Sequence, residues 1–374
     1  MKLESGTIVS AAAAIAFTLF LSSCASRPAD TVLTPVAVAG HQQKTLTLLA
    51  ATNRSRSKDG VGYDGTWANN VSYERFNVSV PARRDGTTIA YAAPTPDPSR
   101  QFVVTRRDAL SSNSFTDAAA AGTTPDGTVA IFVHGYNYSY QEALFRMAQM
   151  AADSGAASAP ILFSWPSAAS ASGYIGDRDA AMYSRTELER LIVELSRSTR
   201  IHHVVLFGHS MGGFLSMEAV RQLKLEGRSG ALQKLQVVLA APDIDVDVFR
   251  SQLRDIGRMD TPITLLVSTS DRALGLSSLL AGKRARIGSV NVDDPVVREA
   301  AKAERLRVVD ISSLKSSDGF GHDRYASFAQ YAGELAQSDA RQKQSLNNVG
   351  AFVFDAAGAA IASPFKLASQ VVRQ

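Results

Sequence analysis

Residues 203–220 read HVVLFGHSMGGFLSMEAV. An apolar, β-rich run ends in Gly208-His209-Ser210-Met211-Gly212, and a helix-like pattern follows. Glycine and serine are common turn residues, so a plain turn is one reading. The pentapeptide also fits the G-x-S-x-G elbow in the context that motif requires, with a strand before it and a helix after it. In so sharp a turn a side chain at 208 or 212 would collide with the neighbouring strand and helix. The serine is thrust clear of the backbone, which makes Ser210 the candidate nucleophile.

The pattern repeats outward from the elbow. VAIFVHG (129–135) reads as a buried strand, followed by a helix through YQEALFRMAQMAAD (140–153). PILFSWPS (160–167) is the next strand. A helix then runs through SRTELERLIVELSRS (184–198), with Leu188, Ile192 and Leu195 on one face. LQVVLAAPD (235–243), PITLLVSTSD (262–271) and LRVVDIS (306–312) read as later strands. TLTLLAATNR (45–54) and SYERFNVSVP (72–81) read as two early ones. Residues 92–128, rich in Pro, Ser, Thr, Asp and Ala, read as a loop-rich connection. β-rich runs alternating with amphipathic helices predict an α/β fold, a mostly parallel sheet covered on both faces, forming one domain over 43–338. No internal repeat is present.

Composition narrows the function. The chain has 374 residues, 45% hydrophobic and 20% charged, enough for a large core. Its 39 basic and 35 acidic residues are interspersed, and pairs such as Arg83-Arg84 and Arg106-Arg107 never grow into a basic run. No stretch is suited to tracking a phosphate backbone, so nucleic acid is not an expected partner. IVSAAAAIAFTLFL (8–21) is an apolar segment too short for a comfortable span, and it ends in LSSC (21–24). This resembles a bacterial lipoprotein signal over 1–23, with Cys24 as the acylated first residue of the mature chain and 24–42 as a flexible tether. Cys24 is the only cysteine, so no internal disulfide competes for it. The resemblance, with Ala25 after the cysteine, implies a lipid anchor in the bacterial envelope, at the outer membrane and facing the periplasm.

A serine nucleophile needs a base, and there are six histidines. His41 lies in the tether, His134 at a strand end in a structural setting, and His202 and His203 open a strand. His209, directly before Ser210, should point away from its hydroxyl. His322 remains, in DGFGHDRY (318–325) beyond the last strand, where a loop can carry it over the sheet edge. Two carboxylates end strands between Ser210 and His322. Asp271, ending the strand just before the one that leads to His322, is preferred as the acid that orients the imidazole. Asp243 is the fallback, or instead caps the helix beginning VDVFRSQL (246–253). The oxyanion needs two backbone N–H groups. Met211, at a helix N-terminus, supplies one, and Tyr136, after the HG strand end, is the choice for the other. No metal or organic cofactor is called for, and no Cys/His cluster suggests zinc.

These residues lie in segments that together resemble the α/β-hydrolase superfamily, in a bacterial esterase/lipase-like branch, over roughly 45–330. The resemblance rests on ATNR (51–54), VSVP (78–81), IFVHGYNYSYQEALFRMAQMAADSG (131–155), LFSWPS (162–167), YIGDRDAAMYSRTELERLI (174–192), GHSMGG (208–213), LAAPDIDVDVF (239–249), STSDRALGLSSLLAG (268–282) and GHDRY (321–325). It implies an α/β-hydrolase fold, the triad Ser210, Asp271 and His322, and the Met211 and Tyr136 amides as oxyanion donors. GDRD (176–179) belongs to the branch pattern. A salt bridge of Asp177 or Arg178 ordering the loop above the sheet is its plain reading. The activity implied is cofactor-free hydrolysis of a small-molecule or lipid acyl ester. A binding protein on the same scaffold, anchored in the envelope and without catalysis, is the other class of reading. The tail 339–374 is apolar but broken by Gly358 and Pro364, which suits packing on the domain or contact with a membrane surface better than a span. Acyl chain length, oligomeric state and the choice among ester, thioester, amide and phospholipid are not written in these residues.

Overall fold

The computed structural model describes residues 27–38, 44–155 and 158–328, and the backbone of 353–355. The segment 1–23, Cys24, His41 and nearly all of 339–374 lie outside the described residues. The strands are β1 (Thr45–Arg56), β2 (Tyr63–Ser79), β3 (Val103–Leu110), β4 (Thr128–Val133), β5 (Ile161–Ser164), β6 (His203–His209), β7 (Leu235–Ala240), β8 (Thr264–Val267), β9 (Arg307–Asp310) and β10 (Val353–Asp355). They form one sheet in the order β10-β9-β8-β7-β6-β4-β5-β1-β2-β3. The helices are α1 (Ser112–Ala121), α2 (Tyr140–Ser154), α3 (Tyr174–Tyr183), α4 (Arg185–Arg197), α5 (Met211–Leu225), α6 (Ser229–Lys234), α7 (Val246–Ile256), α8 (Arg272–Leu280) and α9 (Pro295–Ala303). None of the described helices is long and apolar enough to cross a membrane.

The pleat sorts the apolar residues between two cores, because successive side chains point to opposite faces. Leu48, Ala50, Phe132 and Leu162 pack on α2 through Leu144, Phe145 and Met147. Their neighbours Leu49, Ala51, Ile131, Val133, Ile161 and Phe163 pack on α1, α4 and α5. Burial on both faces explains why these strands read as continuous apolar runs, with all four residues of β5 buried. The sheet is the mostly parallel one the sequence predicts, with an antiparallel edge added. There β1 pairs with β2, and β2 with β3.

Two expectations are corrected. Residues 92–128 are not only connection, because they hold β3 and α1. β3 carries Arg106, Arg107 and Asp108 and is held to β2 by ion pairs, Arg107 with Glu74 and Arg75 with Asp108. The tether expected over 24–42 is partly docked: Asp30–Leu33 form a 3-10 turn with Leu33 buried, and the Val36 amide donates to Val104 O. Arg27 pairs with Glu142 on α2.

The neighbours β9-β8-β7-β6-β4 run parallel. Their carboxyl ends therefore form one rim, and every candidate site residue of the sequence except Cys24 follows one of them.

Candidate active site

At the end of β6 the chain turns into α5 through Ser210, which sits at φ 54°, ψ −121°. A non-glycine residue there is strained and must be held by its surroundings. The glycines explain the hold. A Cβ on Gly208 would lie within 3 Å of Ser216 Oγ and the Gly212 and Gly213 backbone; one on Gly212 would strike the carbonyl oxygens of Val133 and His134. Ser210 N donates to Ala240 O at 2.9 Å, and Ser210 O accepts from Gly213 N and Asp243 N. The hydroxyl makes no hydrogen bond among the described residues. It opens onto a cleft of about 340 Å³ whose walls include Tyr136, Tyr174, Leu274, Phe320 and His322.

His322 enters the same cleft from the loop after β9. Its Nδ1 lies 2.7 Å from Asp271 Oδ2. That bond assigns the ring proton to Nδ1 and leaves Nε2 as the basic nitrogen. Asp271 is itself fixed as the N-cap of α8, accepting from Leu274 N at 3.0 Å. The His322 amide donates to Asp318 Oδ1 at 3.0 Å, and Arg272 N donates to Phe320 O at 3.0 Å. Burial disfavours the charged ring. The Asp271 carboxylate outweighs that, with help from Asp318 and Asp243, and holds the His322 pKa above the ordinary imidazole value.

The fallback acid Asp243 is engaged elsewhere. Its Oδ1 accepts from the Ser277 hydroxyl and forms an ion pair at 3.1 Å with the Nε of the buried Arg286, which itself donates to Ser277 Oγ. Its Oδ2 accepts from Tyr174 OH at 2.8 Å. Nor does it cap the following helix. Asp245 does so, accepting from Asp247 N and Val248 N. Nothing in the sequence singles out Arg286, Tyr174 or Ser277, since each acquires its partner only through the fold.

His134 and His209, both buried, are engaged elsewhere. The buried His134 stacks on Trp165 with ring centroids 4.9 Å apart, and its Nδ1 meets Gly135 O at 2.8 Å. Burial and the adjacent Arg54 charge push its pKa down to about 3, so it is neutral. His209 stacks on Tyr325 at 4.1 Å, and its Nε2 lies 3.3 Å from His322 O. Burial, with His322 alongside, holds its pKa well below the usual range.

Tyr136 and Met211 flank the elbow. Met211 opens α5, so its amide is one of the first-turn donors that a helix leaves unsatisfied. The Tyr136 amide donates to no protein acceptor among the described residues, and its hydroxyl donates to Ala171 O. Asp177 and Arg178 do not form the expected salt bridge. The Arg178 guanidinium lies over the Phe214 ring at 4.5 Å, and the buried Asp177 accepts the amides of Asn137 and Ala168. Among the described residues no group of three or more His, Cys, Asp or Glu side chains is placed to hold a metal ion.

A family model described as "Alpha/beta hydrolase of unknown function (DUF900)" matches residues 113–338. The chain belongs to this family. The match begins in α1 and runs past the His322 loop, and so contains the elbow and both strand-end carboxylates. No curated protein matches the sequence. Among solved structures, a protein of Agrobacterium vitis S4 shares 13% identity, covering 77% of this chain and 98% of that one at a TM-score of 0.31. A fungal esterase of Rhizomucor miehei shares 12%, covering 85% of this chain and 76% of that one, at 0.29. A lipase-esterase related protein of Clostridium acetobutylicum ATCC 824 shares 14%, covering 63% and 87%, at 0.25. The family assignment rests on the model match alone.

Proposed function

We propose that this α/β hydrolase cleaves carboxylic esters or related acyl bonds through a serine acyl-enzyme. The observation that carries the reading is the 2.7 Å contact of Asp271 with His322, which lines the same cleft as the strained Ser210, whose hydroxyl has no partner among the described residues. His322 Nε2 takes the Ser210 proton as Oγ bonds to the acyl carbon. The carbonyl electrons move onto oxygen, where the Met211 and Tyr136 amides receive the charge. The ester C–O bond then breaks, and the imidazolium gives its proton to the leaving alkoxide. Water, deprotonated by the same ring, releases the acid and restores Ser210. Asp271 keeps the ring in the required tautomer throughout. A cleft of this size with Leu274 and Phe320 in its wall suits the acyl part of a small-molecule or lipid ester.

A fluorophosphonate probe tests the assignment. It should label the wild type at Ser210, and Ser210→Ala should lose labelling and about a millionfold in turnover of p-nitrophenyl esters. A wild type that neither labels nor turns over esters of any chain length would end the reading in favour of a binding scaffold.

We also propose that the protein is held at the bacterial outer membrane, facing the periplasm, by acylation of Cys24. The support is the apolar segment 8–21 and the single cysteine that closes it. Cys24→Ser should move the protein from the membrane to the soluble fraction; unchanged fractionation would count against an anchor.

A further inference from the structure

ATNR (51–54) and GDRD (176–179) supply no member of the Ser210–His322–Asp271 set, yet both reach the loop that follows β4. Arg54, buried in the sheet at the end of β1, donates Nη2 to Tyr138 O at 2.8 Å. Its Nη1 donates to Ser167 O at 2.9 Å and its Nε to Ser164 Oγ at 2.9 Å. Asp177, buried on α3, takes the Asn137 amide on Oδ2 at 3.2 Å and the Ser167 hydroxyl on the same oxygen at 2.5 Å. Its Oδ1 takes the Ala168 amide at 2.7 Å, and Ser167 Oγ in turn accepts from Tyr138 N at 3.2 Å. On the near side of the loop, Trp165 Nε1 donates to His134 O at 2.7 Å, and His134 Nδ1 to Gly135 O. Backbone groups are thus gripped on both sides of Tyr136, while its own amide stays uncommitted.

Two features make this more than packing. Asn137, directly after the Tyr136 amide, sits in the left-handed region at φ 63°, so the chain turns sharply at the point that is gripped. Burying a guanidinium and a carboxylate is also a poor way to gain stability alone, since apolar residues of the same volume do as well or better.

We propose that Arg54 and Asp177 are positioning residues, a clamp that fixes the 136–138 backbone so that the Tyr136 amide stays directed at the oxyanion. The inference rests on the serine-hydrolase reading above. Asp177 has two oxygens serving three donors. Asn, with one acceptor, can serve only one side, and Ala serves neither.

The test uses full-length Asp177→Asn, Asp177→Ala and Arg54→Lys, with active sites counted by fluorophosphonate labelling taken to its end point. Turnover of a p-nitrophenyl ester is then expressed per labelled site. Asp177→Ala should lose about 10- to 100-fold in kcat per site with KM within about twofold, and Asp177→Asn should fall between it and wild type. Inhibition by a boronic acid, which places an oxygen where the oxyanion forms, should weaken by the same factor as kcat/KM. Arg54→Lys, which keeps the charge but loses the fork, should change in the same direction. A structural role alone would lower the labelled fraction and Tm while leaving kcat per site at the wild-type value, and that result would overturn the clamp. If Asp177→Ala does not fold, the same comparison on Asp177→Asn decides. A wild type that does not label overturns the clamp and the serine-hydrolase reading together; a labelled wild type with unimpaired variants overturns the clamp only.

Discussion

Asp243 and Asp271 follow the ends of two adjacent strands, β7 and β8, and both are buried; Asp243 lines the cleft that holds Ser210, and Asp271 reaches it through His322. Their partners separate them. Asp271 meets an imidazole at 2.7 Å, and Asp243 meets a guanidinium at 3.1 Å, a phenol and a serine hydroxyl. In the proposed mechanism the first carboxylate faces a base whose charge changes during the reaction, so its charge acts on chemistry. The second is tied to a guanidinium, a phenol and a hydroxyl, so it chiefly holds β7, α3 and α8 together, with a smaller influence on His322. Position at a strand end makes a carboxylate a candidate; its partner decides its work.

The largest effect that would break or sharpen this contrast is Asp271→Asn. It should lower kcat by about ten-thousandfold through the wrong His322 tautomer, measured on p-nitrophenyl esters. If instead Asp243→Asn abolished turnover and Asp271→Asn did not, the two roles would be exchanged. Next comes stability. Asp243→Asn leaves Arg286 charged and buried with its counter-ion gone, which should cost about 3–5 kcal/mol in urea unfolding. Turnover per folded molecule should stay near wild type, and the double variant Asp243→Leu/Arg286→Met should regain most of the loss. A stable Asp243→Asn would show that the pair carries little. The smallest effect is in pH. His322 must be neutral to act, so kcat/KM should rise with pH through a midpoint above 6.5, the ordinary imidazole value, and Asp271→Asn should move that midpoint down. The same shift gives the linkage its sign. A raised folded-state pKa stabilises the fold fully below about 6.5 and loses that contribution as pH rises through the folded value. The stability advantage of wild type over Asp271→Asn should therefore shrink across that window.

The parallel core and the elbow were legible in the sequence because both are local. Runs such as VAIFVHG and LQVVLAAPD announce strands buried on both faces, and the Gly208/Gly212 spacing announces a turn with no room for side chains. That Ser210, Asp271 and His322 gather at one rim was legible because each follows a strand end. The contacts of Asp177 were not, since one of the amides it binds, that of Asn137, is forty residues away, and an amide leaves no mark in residue identity. Arg286 was hidden in AGKRAR, where nothing sets it apart from Lys283 or Arg284. β3 was missed because Arg106, Arg107 and Asp108 interrupt its apolar pattern; cross-strand ion pairs replace apolar burial there. α1 was missed because its short Ala-rich helix buries only Phe115, Ala119 and Ala120. The docked part of the tether depends on Leu33 and Val32, too few apolar residues to show a period.

Gly212 rests directly against the Val133 and His134 carbonyls, with no side chain between helix α5 and strand β4. Main chain seated on main chain has no rotamers through which to relax. The spacing from the Ser210 turn to the amide of the neighbouring loop is therefore set like a machined joint.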